Sequence, residues 1–277
     1  MHRLFSLLLV PLLLFAACGR PTSSDVRKML NKKGAVSAVP ATIGVNGGEI
    51  TYGRKGSGDL HGYLALPATS GPHPAVVLVH ERWGLDDYMR ENARKFAKLG
   101  YVALAVDLYS ESTTDPAVAQ WLAAGVQRDA PGALDNLEQA VTYLKNRSDV
   151  DDDRVASVGW DFGGAWAYQM AKNDLGVKAT VMYYGQFGVD DDVSQMKADI
   201  LGHFGEADRT ITIDDVHEFQ ATLQTRNGLH DVYIYPNADN GFANPSSPAY
   251  DKQAAKIAWE RTVNFLTTSL GTPPNPR

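Results

Sequence analysis

The sequence predicts an α/β fold: a single doubly wound, mostly parallel sheet of about eight strands flanked by helices. Three observations carry that reading. Short apolar runs alternate with longer amphipathic segments from about Ile50 to Leu270, the pattern of β and α units sharing one sheet. The run Ala75 to His80 is continuously apolar, as a parallel strand buried on both faces would be. The stretch SVGWDFGGAW, 157–166, carries a β-like run, Arg154 to Val158, through Gly159 and Asp161 into a small-residue helix start at Gly163-Gly164. That is the layout of a sharp strand-to-helix turn, in which glycines let two backbones approach closely.

Taken in chain order, Ile50 to Tyr52 and Leu60 to Leu66 read as an opening hairpin, followed by the strand Ala75 to His80. Asp86 to Leu99 reads as a helix stopped by Gly100, and Tyr101 to Val106 returns as a strand. Pro131 to Asn146 is helical, because Leu134, Leu137, Val141 and Leu144 recur at spacings of three and four. After the turn at Asp161, the strands are Ala179 to Tyr184, Ile200 to Phe204 and Val232 to Tyr235. Helices Ile213 to Thr225 and Asp251 to Leu270 complete the set. The acidic clusters 149–153 and 190–192 lack the Gly and distal Glu of a calcium loop and read as solvated turns.

Three segments divide the chain. Met1-His2-Arg3 is a short basic start, and Leu4 to Phe15 is an apolar run of signal-peptide length, too short to span a bilayer. Ala16-Ala17-Cys18 follows, so 1–17 is expected to be a signal peptide and Cys18 a lipidated mature N-terminus, in the manner of bacterial lipoproteins. Gly19, with no Asp beside that Cys, suits outer-membrane sorting, and the expected place is the cell envelope, at the outer membrane or periplasmic face. The polar segment 18–45 reads as a tether, and 46–272 as the folded domain. Cys18 is the single cysteine of 277 residues, which rules out an intramolecular disulfide. A net charge of −6 argues against nucleic acid and against electrostatic membrane binding, leaving the lipid anchor as the expected membrane contact. No cofactor and no metal are expected, and a monomer facing a small-molecule ligand is.

The turn at Asp161 has the form of a nucleophile elbow, G-x-nucleophile-x-G, in which Ser or Cys is the usual middle residue. An acid and then a base should follow it along the chain. Asp208 stands on the loop after the strand Ile200 to Phe204. Where a histidine is needed, after Val232 to Tyr235, the chain has Asn240. With VVLVHERWGL at 76–85, AVDLY at 105–109, VGWDFGGAW at 158–166, GHFGEAD at 202–208 and YPNADNGFAN at 235–244, the chain from Ile50 to Leu270 resembles the dienelactone hydrolase family of carboxymethylenebutenolidase-like α/β-hydrolases. The resemblance implies an ester- or lactone-cleaving ancestry. It places the family's Cys nucleophile at Asp161, its acid at Asp208, its His base at Asn240 and its thiol-contacting glutamate at Glu81. The oxyanion hole would be the backbone N–H groups of Arg82 and Phe162. Two arginines that clamp a substrate carboxylate fall on Glu111 and Asn244, so an anionic lactone should bind poorly. A neutral or apolar ligand is expected, with Trp83, Tyr109, Trp160 and Phe242 as its lining.

These replacements bear directly on the chemistry. Asp161 is a poor nucleophile toward an ester carbonyl, although a carboxylate can displace a leaving group at saturated carbon, as in haloalkane dehalogenases and epoxide hydrolases of this fold. Asn240 is a neutral amide and accepts no proton near pH 7. Triad enzymes stripped of nucleophile and base keep only about 10³–10⁴ over water. None of the seven histidines occupies the base loop: His80 and His203 end core strands, and His61, His73, His217 and His230 fall on surface elements. Asp161 could also serve the backbone alone, since Asp tolerates an elbow's φ/ψ and caps helices. Three readings therefore stand: a hydrolase with a modified mechanism, a catalytically inactive binding lipoprotein with a hydrolase-shaped pocket, and a carboxylate-lined cation site.

Overall fold

The computed structural model describes residues 46–274. The signal peptide, Cys18 and the tether expected over 1–45 lie outside the described residues. Eight strands form one sheet: β1 (Asn46–Lys55), β2 (Gly58–Leu66), β3 (His73–Val79), β4 (Val102–Val106), β5 (Val150–Trp160), β6 (Ala179–Tyr183), β7 (Asp199–Gly205) and β8 (His230–Tyr235). Their order across the sheet is β1-β2-β4-β3-β5-β6-β7-β8. β1 and β2 pair antiparallel, β2 joins β4 antiparallel, and every pairing from β4 to β8 is parallel. The helices are α1 (Asp87–Lys98), α2 (Pro116–Arg128), α3 (Ala130–Lys145), α4 (Phe162–Lys172), α5 (Ile213–Gln224) and α6 (Lys252–Leu270). Among the described residues no helix is long and apolar enough to cross a membrane.

The central strands of the sheet are buried on both faces. Every residue of β3 and of β4 is buried, as the unbroken apolar runs require. On one face Val76, Leu78, Val158, Trp160, Val181 and Tyr183 pack in one core with Met89 and Phe96 of α1 and Ala258 and Phe265 of α6. On the other, Ser157 meets Thr180 (Oγ to Oγ1, 2.7 Å) and the Ala167 carbonyl of α4. The helix ends follow local chemistry. Asp86 caps α1 by accepting from the Met89 N–H, Asp251 caps α6, and Thr212 with Asp215 forms a capping box on α5.

One helix is new to the sequence reading and two expectations change. The segment 116–128 is a full helix, capped by Asp115, although no apolar period announced it. Val150 to Asp153 forms the irregular first part of β5 rather than a turn; its register slips between His73↔Val150 and Ala75↔Val155, which leaves Asp152 and Asp153 exposed. His73 is buried, with Nε2 on the Thr69 carbonyl at 3.0 Å, and His230 is partly buried, whereas His61 and His217 are exposed as expected.

Candidate active site

The loops at the C-terminal ends of the parallel strands carry the site, as an open α/β sheet requires. β3 delivers His80, Glu81 and Arg82, β5 delivers Asp161, β6 Tyr184, β7 Asp208, and β8 Asn240. Asp161 sits on the elbow at φ 52°, ψ −117°, a conformation rare for a side-chain-bearing residue. Its glycine neighbours make that turn possible. A Cβ on Gly159 would lie 1.9 Å from the Gly163 carbonyl oxygen, and one on Gly163 would lie 2.1 Å from that of Val79. Backbone bonds fix the elbow at both sides: Asp161 N–H donates to the Tyr183 carbonyl (2.9 Å), and Ala165 N–H donates to that of Asp161 (3.2 Å).

The Asp161 carboxylate does not cap α4, contrary to the reading that it serves the backbone alone. It turns across the cleft instead. Arg82 Nε donates to Oδ2 and Nη2 to Oδ1, both at 2.5 Å, a two-pronged guanidinium-carboxylate pair. The Arg82 backbone N–H adds a longer bond to Oδ2 at 3.3 Å. One of the two amides expected to form the oxyanion hole therefore faces the protein's own carboxylate. Phe162 N–H is at the first turn of α4, where helix N–H groups have no partner inside the helix.

Behind this pair, Glu81 is buried and bonded twice, accepting from Tyr184 Oη (2.9 Å) and from Asn244 Nδ2 (2.5 Å). Burial, with a smaller push from the Asp161 charge, raises its pKa to about 7, against the lowering effect of the Asn244 bond. Asp208 is held by the N–H groups of Thr210 (2.7 Å) and Ile211 (3.2 Å) on Oδ1. Its Oδ2 accepts from Asn240 Nδ2 at 2.9 Å, the bond through which an acid would orient a histidine ring, and Asn240 Nδ2 also reaches the Tyr184 carbonyl at 3.3 Å. His80 cannot substitute as a base. The Leu108 N–H donates to its Nε2 (3.2 Å), so the proton is on Nδ1, which donates to the Glu81 carbonyl (2.6 Å), and burial lowers its pKa.

A cavity of about 950 Å³ opens over Arg82, Asp161, Phe162, Tyr184 and Asn240. Of the expected lining, Trp83 is on its wall. Tyr109, Trp160 and Phe242 are not: all three are buried, because Tyr109 packs on the rings of His80 and Phe162, Trp160 on Tyr88 and Tyr183, and Phe242 on Tyr184 and Tyr235. Neither position matched to a carboxylate clamp reaches the wall, and Asn244 is turned inward to Glu81. The Arg82 guanidinium and Tyr184 are functional groups the sequence did not single out; the pair Tyr183-Tyr184 at a strand end was the available signal for the second. Among the described residues no group of three or more His, Cys, Asp or Glu could hold a metal ion.

A mostly parallel sheet of this order, with an elbow after β5 and Asp208 and Asn240 on the loops after β7 and β8, defines an α/β-hydrolase fold. The chain belongs to the dienelactone hydrolase family, whose model matches residues 60–270. It is 28% identical over 223 residues to a candidate carboxymethylenebutenolidase of Methylorubrum extorquens, covering 76% of this chain and 77% of that one. It is 31% identical over 221 residues to the "probable 2-oxo-3-(5-oxofuran-2-ylidene)propanoate lactonase" of a Bradyrhizobium species, covering 75% and 89%. Among solved structures, a candidate dienelactone hydrolase from Klebsiella pneumoniae superposes with a TM-score of 0.73 at 27% identity, over 80% of this chain and 98% of its own.

Proposed function

We propose that this family member binds a small neutral molecule in the hydrolase cavity and does not cleave it by the family's acyl transfer. The carrying observation is the Asp161 carboxylate, gripped at both oxygens by Arg82 and bonded to the Arg82 N–H. A substrate carbonyl would need that N–H for its developing negative charge. The elbow side chain takes the place instead, and as a charge-paired carboxylate it is a poor nucleophile. Asn240 has its amide donor on Asp208 and has no lone pair basic enough to activate water.

The reading in which Asp161 attacks saturated carbon is separable by mass. Displacement of halide by the carboxylate would leave an alkyl ester on Asp161, which Asn240 could not help hydrolyse, so the adduct would accumulate. Intact-mass spectrometry after incubation with short haloalkanes, epoxides and p-nitrophenyl acetate should show unmodified protein and no product above background. An adduct mapped to Asp161, or sustained p-nitrophenol release, would overturn the proposal. The lipid anchor is part of the same reading and rests on the pattern at Ala16-Ala17-Cys18. Cys18→Ser should move the protein from the membrane fraction to a soluble or unprocessed form, and unchanged fractionation would remove the anchor.

A further inference from the structure

The cavity walls say more about the ligand than its floor does. Its charged residues are Arg82 and Asp161, and they neutralise each other, so the walls offer no net charge to an ion. Four wall positions are glutamines: Gln120, Gln127, Gln169 and Gln186. Their placement follows from helical spacing. Pro116, Gln120, Ala123, Ala124 and Gln127 fall on one stripe of α2, with alanines leaving room between the amides, and Ala165 and Gln169 lie one turn apart on α4. Among the described residues, Gln120, Gln127 and Gln186 form no side-chain hydrogen bond, so their amides are free for a ligand. Aromatic side chains complete the enclosure: Trp83, Phe162, Trp166 and Phe187, with the Phe162 and Trp166 rings 6.2 Å apart and edge-on.

An amide both donates and accepts, and so does a hydroxyl group; rings supply flat apolar faces for C–H surfaces. We propose that the cavity takes a neutral, hydroxyl-rich ring, that is, a carbohydrate. The inference rests on the reading that this pocket binds a ligand. A volume of about 950 Å³ exceeds one sugar ring, at the upper end of small-ligand sites (roughly 300–1,000 Å³). A second groove shares Gln186, Phe187 and Ile211 with the first and runs on past Asp190, Asp191 and Asp215, which extends the site in one direction and adds carboxylate acceptors for hydroxyl groups. A disaccharide suits it better than a monosaccharide.

The test is tryptophan fluorescence and calorimetry on the full chain with glucose, cellobiose, maltose, glucuronate, an acetylated cellobiose and naphthalene. Saturable binding of a neutral disaccharide is expected, with glucuronate weaker. Gln120→Leu with Gln127→Leu, both exposed helix positions, should weaken it about tenfold, because two hydrogen bonds to the ligand are lost. Circular dichroism checks that the variant is folded; should it not be, Gln186→Ala on the loop gives the same comparison. No saturable sugar binding, or sugar binding unaffected by these changes, would overturn the proposal, as would naphthalene binding in preference to every sugar. Release of acetate from the acetylated sugar would instead overturn the non-hydrolytic reading and leave the ligand class standing.

Discussion

At the scale of single residues, the pairing of Asp161 with Arg82 sets the character of the site. Asp161 is buried and Arg82 about half exposed (side-chain exposures 11% and 48%), so solvent screens part of their attraction while the carboxylate still depends on it. Arg82→Ala should destabilise the fold by about 1 kcal/mol in chemical denaturation, because the carboxylate loses the guanidinium but keeps the backbone N–H of residue 82. Arg82→Lys should recover only part, since an ammonium cannot bridge both oxygens. Equal stability of wild type and Arg82→Ala would mean the pair is incidental. Glu81 adds a pH dependence. Its folded pKa of about 7 lies above the ordinary 4.5, so the native state holds the proton more tightly than the unfolded chain does. The stability it contributes is full below about pH 4.5 and lost as pH rises through about 7. Denaturation midpoints across that window should fall in wild type and flatten in Glu81→Gln. The slope is the readout, because an amide at 81 would also present a donor toward Asn244 Nδ2. Parallel slopes would assign the titration elsewhere.

At the scale of elements, the elbow depends on bare backbone at Gly159, where a Cβ would sit 1.9 Å from a carbonyl oxygen. Gly159→Ala should lose several kcal/mol or fail to accumulate as folded protein, because backbone at that distance has nowhere to move. Gly48→Ala on β1, with nothing within 4 Å of the new methyl, should stay within about 0.5 kcal/mol of wild type. Similar thermal unfolding of the two variants would contradict the close-packed elbow. The elements whose sequence signals were strong are those that bury apolar faces: β3, β4, α1 and α6 could be read directly, with Asp86 and Asp251 marking helix starts. α2 was illegible for a physical reason. Its cavity stripe is alanine and glutamine, so the apolar period reduces to Val118, Ala119 and Leu122. The candidate site divides the same way. Asp161, Asp208 and Asn240 were legible because each follows a recognisable strand, and the structure brings Asp208 and Asn240 into contact and sets Asp161 with Asn240 on one cavity. The guanidinium of Arg82 was not, because its reach across the cleft to Asp161 is a tertiary contact 79 residues away in sequence. Tyr109, Trp160 and Phe242 belong to the core rather than to the wall, because an aromatic residue beside a site serves either equally well.

At the scale of the whole molecule, the proposed function implies that the family scaffold is kept while its reaction is lost at two positions, Asp161 and Asn240. The surroundings those positions would need are intact. Asp208 already accepts a bond from residue 240 at 2.9 Å, the elbow glycines are in place, and the Arg82 N–H is occupied only by the Asp161 side chain. Replacing Asp161 with Cys clears that N–H and supplies a nucleophile, and replacing Asn240 with His supplies the base that Asp208 would orient. Triad members act as a unit, so either change alone should do little. The most direct measurement is hydrolysis of a p-nitrophenyl acyl ester by wild type, by Asp161→Cys, by Asn240→His and by the double variant, side by side. Turnover above background in the double variant alone is the expected result; an active wild type beside an inactive double variant would contradict the account.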